Sequence, residues 1–589
     1  MRVLPFENSG NLKHYVAGGI YKNTDIQASN LSNKPDLISF MAIPLEAIKS
    51  KYFIPVWPEG LKVNPEPRIT LNNSNNSNKV SVPLAFNKKN DTDYDIKYSV
   101  CPQDFWVTPR TEIHSLKGNI KPGPENDRIK VIDKRSRVAS PDSSLKMVYD
   151  KDSPQFDRVN TFYFVNKTLD MYEKALGRKL SWSFDDKQLK IYSRAKRKRN
   201  AKYNRLDGSI QFCYFKKLFS MKEPVYTSRI ADIVTHEAAH AILDGLKPYY
   251  HNWGSHSSII HEGFSDCSSM LVALWNDNLV DEVIKETGGD LRKDNLIASL
   301  AEQFGKATTG KPYLRNANNN YNMMDFRIGK QSSEHHSFAS LFDGMFYDLV
   351  VGMAQQYSNS MPLREALFKT REDLTGLFAR AMADYAPPGN VFFHDIAKAI
   401  LAADEYDFNG KYNTLIKNVL INRGLLNNQQ IYDWESEQYK TPSLTISKDN
   451  LLSKKAIENL INNNKQLLGL PENNTYELES AYSAKYNQLF LQLVAPKKLL
   501  VMVPGNMGHT YQQVKVYDGV TLGFDSNKNL FYKAVNNTDE KEVEDAIKNV
   551  EMALSQQEML FANNKHAEPL VYKESANSNV LVKSPIINL

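Results

Sequence analysis

Residues 235–240 read THEAAH, and residues 261–266 read HEGFSD. In the first stretch, His236 and His240 are four residues apart, so on a helix their imidazoles lie on one face and can bind one ion. Glu237 lies between them, one step around the helix. The first stretch therefore predicts two ligands of a metal site.

The second stretch contains the ligand that two histidines leave missing. A catalytic zinc ion usually has three protein ligands and keeps a fourth position for water. Glu262 lies in the apolar-patterned helical stretch SIIHEGFSDCSSMLVAL, and Asp266 follows on the same helix face. We expect His236, His240 and Glu262 to bind one Zn²⁺, while Asp266 accepts the second ring N–H of a histidine ligand. The alternative is that Glu262 belongs to an ordinary solvated helix face.

Composition limits the class of protein. The 589 residues suffice for two to four domains, and 41% hydrophobic with 24% charged residues is typical of a soluble globular protein. A net charge of +6 is small for this length, so we expect no nucleic-acid partner. The three cysteines, Cys101, Cys213 and Cys267, are odd in number and far apart, which argues against a disulfide framework and against thiolate zinc ligands.

The sequence shows neither a secretory signal nor a membrane-spanning segment, although the basic run at 194–205 could also be a nuclear-targeting signal. The first residues, MRVLPFENSGNLKHYV, have no apolar core of a secretory signal, and no window is apolar for long enough to span a membrane. We therefore expect no membrane span and a location in the cytoplasm, or export without a cleavable N-terminal signal. The oligomeric state stays open.

The hydrophobic patterns divide the chain into three regions. Residues 1–155 are predicted to be β-rich, with strands at 36–45 and 79–86 and a polar loop at 71–79. Residues 156–426 are mainly helical, apart from a hairpin with its turn at Asp207 and Gly208. Residues 427–589 are predicted to form a small α/β domain. Its predicted elements are helical segments at 453–469 and 540–556 and strands at 489–495, 498–505, 513–519, 519–524 and 530–535.

The combination of H-E-x-x-H at 236–240 with E-x-x-x-D at 262–266 resembles the gluzincin metallopeptidases, and among them the thermolysin-like group. The resemblance covers about residues 156–426, and the chain has no G-x-M-E-N stretch of the aminopeptidase branch. It implies an α+β fold with a two-lobed catalytic domain: a β-containing upper lobe, a helical lower lobe and zinc at their junction. The implied activity is that of a zinc-dependent endopeptidase acting on proteins or peptides.

The same resemblance implies further site residues. Glu237 is the expected general base. His336 in SSEHHSFASLFDGMFYDL matches the histidine that stabilises the oxyanion, with His335 as the alternative, and both could instead be capping or core residues.

Three other features are less defined. Tyr249 or Tyr250 is a candidate for a second oxyanion donor. Asn200 and Ala201 match an edge strand that pairs with the substrate backbone, although these residues taken alone favour an ordinary hairpin. The basic run at 194–205 is either a solvated loop or an electropositive rim that favours acidic substrates.

Two other functions fit the sequence. The first is a non-catalytic binding or assembly module on a peptidase fold, which the presence of Glu237 disfavours, since a structural metal needs no carboxylate beside its water. The second is a zinc hydrolase acting on an amide other than a peptide bond.

Overall fold

The computed structural model describes most of the chain beyond residue 93. The described residues are 94–133, 137–216, 224–250, 256–331, 335–447, 453–505, 508–538, parts of 543–553, 571–573, 580–583 and 586–588. The predicted strands at 36–45 and 79–86 and the polar loop at 71–79 lie outside these residues, as does most of the predicted helix at 540–556.

Helices dominate the middle of the chain. They are α1 Pro154–Leu176, α2 Ala231–Leu246, α3 Ser257–Leu274, α4 Asp277–Thr287, α5 Glu302–Thr309, α6 Met323–Arg327, α7 His335–Ser358, α8 Leu363–Arg380, α9 Phe393–Phe408, α10 Asn413–Asn422, α11 Asn428–Gln438, α12 Lys454–Asn463 and α13 Lys465–Leu468. A π-helical turn at Ala381–Tyr385 follows α8.

The strands lie before, between and after these helices. They are β1 Tyr94–Val100, β2 Glu112–Gly118, β3 Ile129–Val131, β4 Lys146–Met147, β5 Leu189–Tyr192, β6 Ala201–Asn204, β7 Ser209–Phe212, β8 Tyr214–Phe215, β9 Val225–Tyr226, β10 Ser299–Leu300, β11 Arg315–Asn316, β12 Glu477–Ser483, β13 Leu489–Gly505, β14 Gly508–Phe524, β15 Leu530–Asn536, β16 Val571–Lys573, β17 Val580–Lys583 and β18 Ile586–Asn588. The described chain is thus a mixed α+β protein, as the patterns predict.

Local signals explain where the long helices begin and end. Ser153 caps α1, because its hydroxyl accepts a hydrogen bond from the N–H of Phe156, and Pro154 occupies the first turn. The helix ends at Gly177, which has the left-handed φ of 69° that glycine adopts without strain. Helix α2 ends at Leu246, and Pro248 then prevents its continuation.

A five-stranded sheet lies against the helices that carry the two motifs. Its order is β18-β6-β7-β5-β3, with β3, β5 and β7 parallel and β6 antiparallel to β7. Helix α2 packs against β6 and β7, α3 packs against α2, and α7 packs against α3. The predicted hairpin is the β6–β7 pair, and its turn contains Gly208 with a φ of 58°.

The second large sheet is formed by the later part of the chain. Its order is β12-β13-β14-β17-β16, and β15 also pairs with β14. The predicted breaks inside 489–505 and at residue 519 are wrong, because β13 and β14 pair without interruption from Leu489↔Phe524 to Gly505↔Gly508. Pro496 pairs with Tyr517 in this ladder, so neither the proline nor Gly519 ends a strand.

Among the helices that the structure describes, none is both long enough and apolar enough to cross a bilayer.

Candidate metal centre

Helix α2 presents the first two candidate ligands from a fully buried surface. His236 and His240 are 2% and 0% exposed, and their ring centroids are 4.6 Å apart. The helix packs against α1, α3, β6 and β7. The spacing of four residues therefore places both imidazoles at the same point between α2 and α3.

Helix α3 brings Glu262 to the same point. Its Oε2 lies 3.2 Å from Nε2 of His236, and its Oε1 lies 3.7 Å from Nε2 of His240. One ligand atom from each of the three residues lies within 4.8 Å of the other two. This buried group can hold a metal ion.

The hydrogen-bonding state of these atoms supports a bound cation. Within the described residues, Nε2 of His236, Nε2 of His240 and Oε2 of Glu262 are buried and make no hydrogen bond. A neutral His236 that donates from Nδ1 to Asp266 carries a lone pair on Nε2, and this lone pair meets the electron-rich Oε2 of Glu262. Such a pair of buried acceptors is unfavourable without a proton or a metal ion between them.

The pKa values of the candidate ligands indicate that the group favours a bound positive charge, either a proton or a metal ion. Burial lowers the pKa of His236, but the charge and hydrogen bond of Asp266 and the negative charge of Glu262 outweigh it and raise the pKa to about 9. Burial raises the pKa of Glu262, but the surrounding histidines outweigh it and hold the pKa well below its usual value. The pKa of His240 is well below its usual value, chiefly because of burial. A proton on His236 therefore occupies the place that a metal ion would take.

Both histidines have an orienting partner on α3. Nδ1 of His236 lies 2.8 Å from Oδ1 of Asp266, and Nδ1 of His240 lies 3.0 Å from the hydroxyl oxygen of Ser265. These contacts leave Nε2 of each ring free to face Glu262. Such partners fix the tautomer and the ring orientation of a ligand.

Arg315 on β11 fixes Asp266 in turn. Its guanidinium donates two hydrogen bonds to the carboxylate, at 2.6 Å to Oδ2 and 2.8 Å to Oδ1. Burial raises the pKa of Asp266, but the charges of Arg315 and His236 outweigh it and lower the pKa to about 2. Asp266 is therefore an anion that holds His236 in place.

Glu237 has the environment of a carboxylate without a partner. Both of its carboxylate oxygens are buried and make no hydrogen bond of normal geometry among the described residues, although the backbone N–H of Tyr203 lies close. Burial raises the pKa of Glu237 to about 8, with the charge of His236 opposing the rise and that of Glu262 adding to it. A carboxylate with such a pKa can accept and return a proton near neutral pH.

His336 on α7 reaches the same centre from a partly exposed position. Its Nε2 lies 3.6 Å from Oε2 of Glu262, and its side chain is 25% exposed. Gly263 permits this approach, because a Cβ at this position would lie 2.8 Å from Cδ1 of Phe342 on α7. The neighbouring His335 is the first residue of α7.

The two tyrosine candidates differ in what they contact. Tyr250 is fully buried, and its hydroxyl donates a 2.9 Å hydrogen bond to the carbonyl of Pro387. The ring of Tyr249 packs against Tyr517 of β14 with centroids 4.5 Å apart. Both residues thus contact other parts of the fold in this structure.

The predicted substrate strand is the short strand β6. Asn200 directly precedes it and Ala201 is its first residue, and both are buried. Four exposed basic residues come just before it, at positions 196–199. Hydrogen bonds from the Lys198 N–H to the carbonyl of Tyr214, and from the Tyr214 N–H to the carbonyl of Lys196, hold this basic segment against β8.

Three residues of the site were not predicted from the sequence. Ser265 lies three residues after Glu262 on α3, so its position on the ligand face could have been predicted from helical spacing. Arg315 lies in a two-residue strand with no periodic pattern. Asp343 is fully buried on α7, and burial together with the charge of Asp266 raises its pKa well above the usual value.

Comparison of the chain with the models of known protein families found no match, and comparison with curated proteins found none.

Proposed function

We propose that this protein is a zinc-dependent endopeptidase of the thermolysin-like kind. The observation that carries the proposal is the unpartnered carboxylate of Glu237 beside the buried group of His236, His240 and Glu262. A purely structural metal site needs no such carboxylate. The proposal includes a thermolysin-like arrangement, in which the zinc site lies between a β-containing lobe and a helical lobe.

The donor set favours a transition metal such as zinc over calcium and magnesium. Two imidazoles and one carboxylate are a known ligand set of catalytic zinc, which leaves a coordination position for water. Zinc bound there would lower the pKa of water towards 7 and polarise a carbonyl oxygen. Calcium and magnesium prefer sites made of oxygen ligands only.

Glu237 supplies the proton transfer. Burial makes its carboxylate more basic than that of an exposed glutamate, so it can take a proton from water as the water attacks the peptide carbonyl. The protonated carboxyl can then donate this proton to the leaving nitrogen. Because Glu237 has no strong hydrogen bond to break, both transfers require little rearrangement of the protein.

His336 is placed to stabilise the charge that develops on the carbonyl oxygen. Its position near Glu262 and its partial exposure put an imidazole N–H at the border between the buried centre and solvent. A donor that is in place before the charge develops stabilises the transition state more than the ground state. Tyr249 or Tyr250 could donate a hydrogen bond to the same oxygen only if its side chain first left its present contacts with Tyr517 or Pro387.

Binding of an extended peptide to β6 would position the scissile bond. Strand β6 packs on α2, and the N–H of its residue Tyr203 lies close to Glu237. A peptide that adds to this strand makes main-chain hydrogen bonds, so recognition does not depend on one particular side chain. Asn200 and Ala201 lie at the start of this strand.

The test is hydrolysis of an unfolded polypeptide by the purified protein before and after metal removal. We expect cleavage by the protein with one zinc per chain, no cleavage after chelation, and recovery when zinc is restored. A small-amide substrate screened in parallel distinguishes a peptidase from another zinc amidohydrolase. A zinc-loaded protein that cleaves neither substrate would contradict the proposal and favour a binding module.

A further inference from the structure

The outer edge of β6 is covered by a distant segment of the same chain. Strand β18 pairs with β6 in antiparallel orientation, with Ile586 opposite Asn204, Ile587 opposite Tyr203 and Asn588 opposite Lys202. The other edge of β6 pairs with β7. Within the described chain, β18 therefore takes the edge to which an added peptide strand would bind.

The position of β18 relative to the metal centre makes this pairing relevant to function. Its partner Tyr203 is the residue whose backbone N–H lies close to the Glu237 carboxylate. Strand β6 also contacts α2, which carries His236 and His240. A strand paired with β6 thus runs past the proposed catalytic carboxylate.

Strand β18 is tethered at its start. Only two residues separate it from β17, which pairs in parallel with β14 through Gln513↔Val580 and Val514↔Leu581. The adjacent strand β16 pairs with β17 through three residue pairs. The second large sheet therefore holds β18 at a high effective concentration next to β6.

We propose that β18 is a built-in competitor for the peptide-binding edge, and that a peptide substrate must displace it. The inference rests on the proposed function, since it names what the substrate site binds when substrate is absent. The pairing is only three residues long, so it is weak enough to open. The competitor is an extended uncharged segment, and the displacing ligand is an extended peptide that makes the same main-chain hydrogen bonds.

The first experiment measures binding and does not need catalysis. It uses zinc-loaded Glu237→Gln protein with the full sequence, and the same protein lacking residues 584–589. The probe is a fluorescent peptide with the sequence of residues 580–589, and its affinity is read by anisotropy. We expect the shortened protein to bind the probe about tenfold more tightly, because the tethered competitor is gone. Equal affinity for the two proteins would overturn the inference.

Hydrogen exchange gives a second readout at the strand itself. Deletion of residues 584–589 should speed amide exchange within 201–204, and addition of the probe peptide should slow it again. Unchanged exchange after deletion would mean that β18 does not protect β6, which also overturns the inference.

Two proline variants of the full chain provide a control against a general loss of structure. Neighbouring N–H groups of a strand point to opposite sides, so only one of Ile587→Pro and Asn588→Pro removes a hydrogen bond to β6. We expect one of the two variants to bind the probe peptide with the affinity of the shortened protein. The affinity of the other variant should stay closer to that of the unsubstituted full-length protein. Identical behaviour of both variants and the unsubstituted protein would contradict the inference.

The catalytic readout separates this inference from the proposed function. With active enzyme, deletion of residues 584–589 should lower KM about tenfold and leave kcat unchanged, as expected for loss of a competitor. If neither form cleaves peptides, the proposed function fails, while binding and exchange still decide whether β18 covers the edge. If both forms cleave with the same KM, the inference fails and the proposed function stands.

Discussion

Nδ1 of His236 and Oδ1 of Asp266 lie 2.8 Å apart, although the two residues are on different helices. Arg315 holds the carboxylate from the other side with two hydrogen bonds. This chain of contacts fixes Nδ1 as the protonated nitrogen of His236 and turns Nε2 towards Glu262. We therefore expect the affinity of this group for a metal ion to depend also on Asp266 and Arg315, which do not belong to the candidate ligands.

The first prediction concerns this orienting contact. Asp266→Asn should weaken zinc binding about 10- to 100-fold, because an amide holds the imidazole less firmly and does not raise its basicity. Competition with a chromophoric chelator measures the change. Asp281→Asn is the matched control, since Asp281 forms a pair with Arg364 at the exposed surface. An unchanged zinc affinity in Asp266→Asn would show that Asp266 does not support the metal.

The second prediction follows from the pKa of His236. In the metal-free protein this pKa is raised to about 9, so at pH 7 the ring is protonated, and a metal ion must displace the proton. Apparent zinc affinity should rise with pH, by about tenfold per unit between pH 6 and 8 for one displaced proton. Calorimetry in buffers of different ionisation enthalpy counts the protons. Binding that releases no proton at pH 7 would contradict a protonated His236 in the metal-free protein.

The third prediction tests how closely α7 must approach α3. A methyl group at residue 263 would lie 2.8 Å from Cδ1 of Phe342, so Gly263→Ala should push α7 and His336 away from the centre. We expect kcat to fall at least about tenfold with zinc content retained, because a displaced donor loses its alignment.

Two further variants control this result. Gly376→Ala is the matched helical control, since its methyl group would meet only the Cζ atom of Phe408, at 3.3 Å. Phe342→Ala combined with Gly263→Ala should restore part of the activity by making room. Wild-type kcat in Gly263→Ala would show that the position of His336 does not limit the reaction.

The fourth prediction concerns the basic segment before β6. In the β18–β6 pair, Asn588 lies opposite Lys202. The C-terminal end of a strand bound to β6 in this antiparallel orientation therefore points towards Ala201 and the exposed basic residues at 196–199. A peptide bound in this direction places the residues C-terminal to the cleaved bond near that positive charge. We expect cleavage sites to be enriched in acidic residues on that side.

Charge reversal tests this preference. Lys198→Glu combined with Arg199→Glu should lower kcat/KM for an acidic peptide about tenfold at low salt, and less at 0.5 M salt because of screening. Lys285→Glu, at an exposed position on α4, is the control. An unaltered preference in the double variant would show that the basic segment is only a solvated loop.

Helical spacing was the most informative signal in the sequence. The separation of His236 from His240, and of Glu262 from Asp266, placed all four residues on facing surfaces of two helices, where the structure has them. Both helices are buried and regular, so tertiary packing does not override the local pattern.

Contacts between distant parts of the chain gave no such signal. Arg315 reaches Asp266 from a two-residue strand, and β18 pairs with β6 across more than 380 residues, so neither contact leaves a local pattern. The continuous strand β13 was also not predicted, because the polar residues after Pro496 resemble a break when the partner strand is unknown. The pairing of a strand depends on partner residues far away in the sequence, and a local sequence pattern carries no information about those partners.

The most direct test of the central claim is mass spectrometry of a diverse peptide library, incubated with the zinc-loaded protein or with its Glu237→Gln variant. Both proteins are first shown to contain one zinc per chain. We predict cleavage of internal peptide bonds by the wild-type protein and a loss of nearly all turnover in Glu237→Gln. Equal cleavage by the two proteins would contradict the assignment of Glu237 as the general base, and no cleavage by either would contradict the peptidase itself.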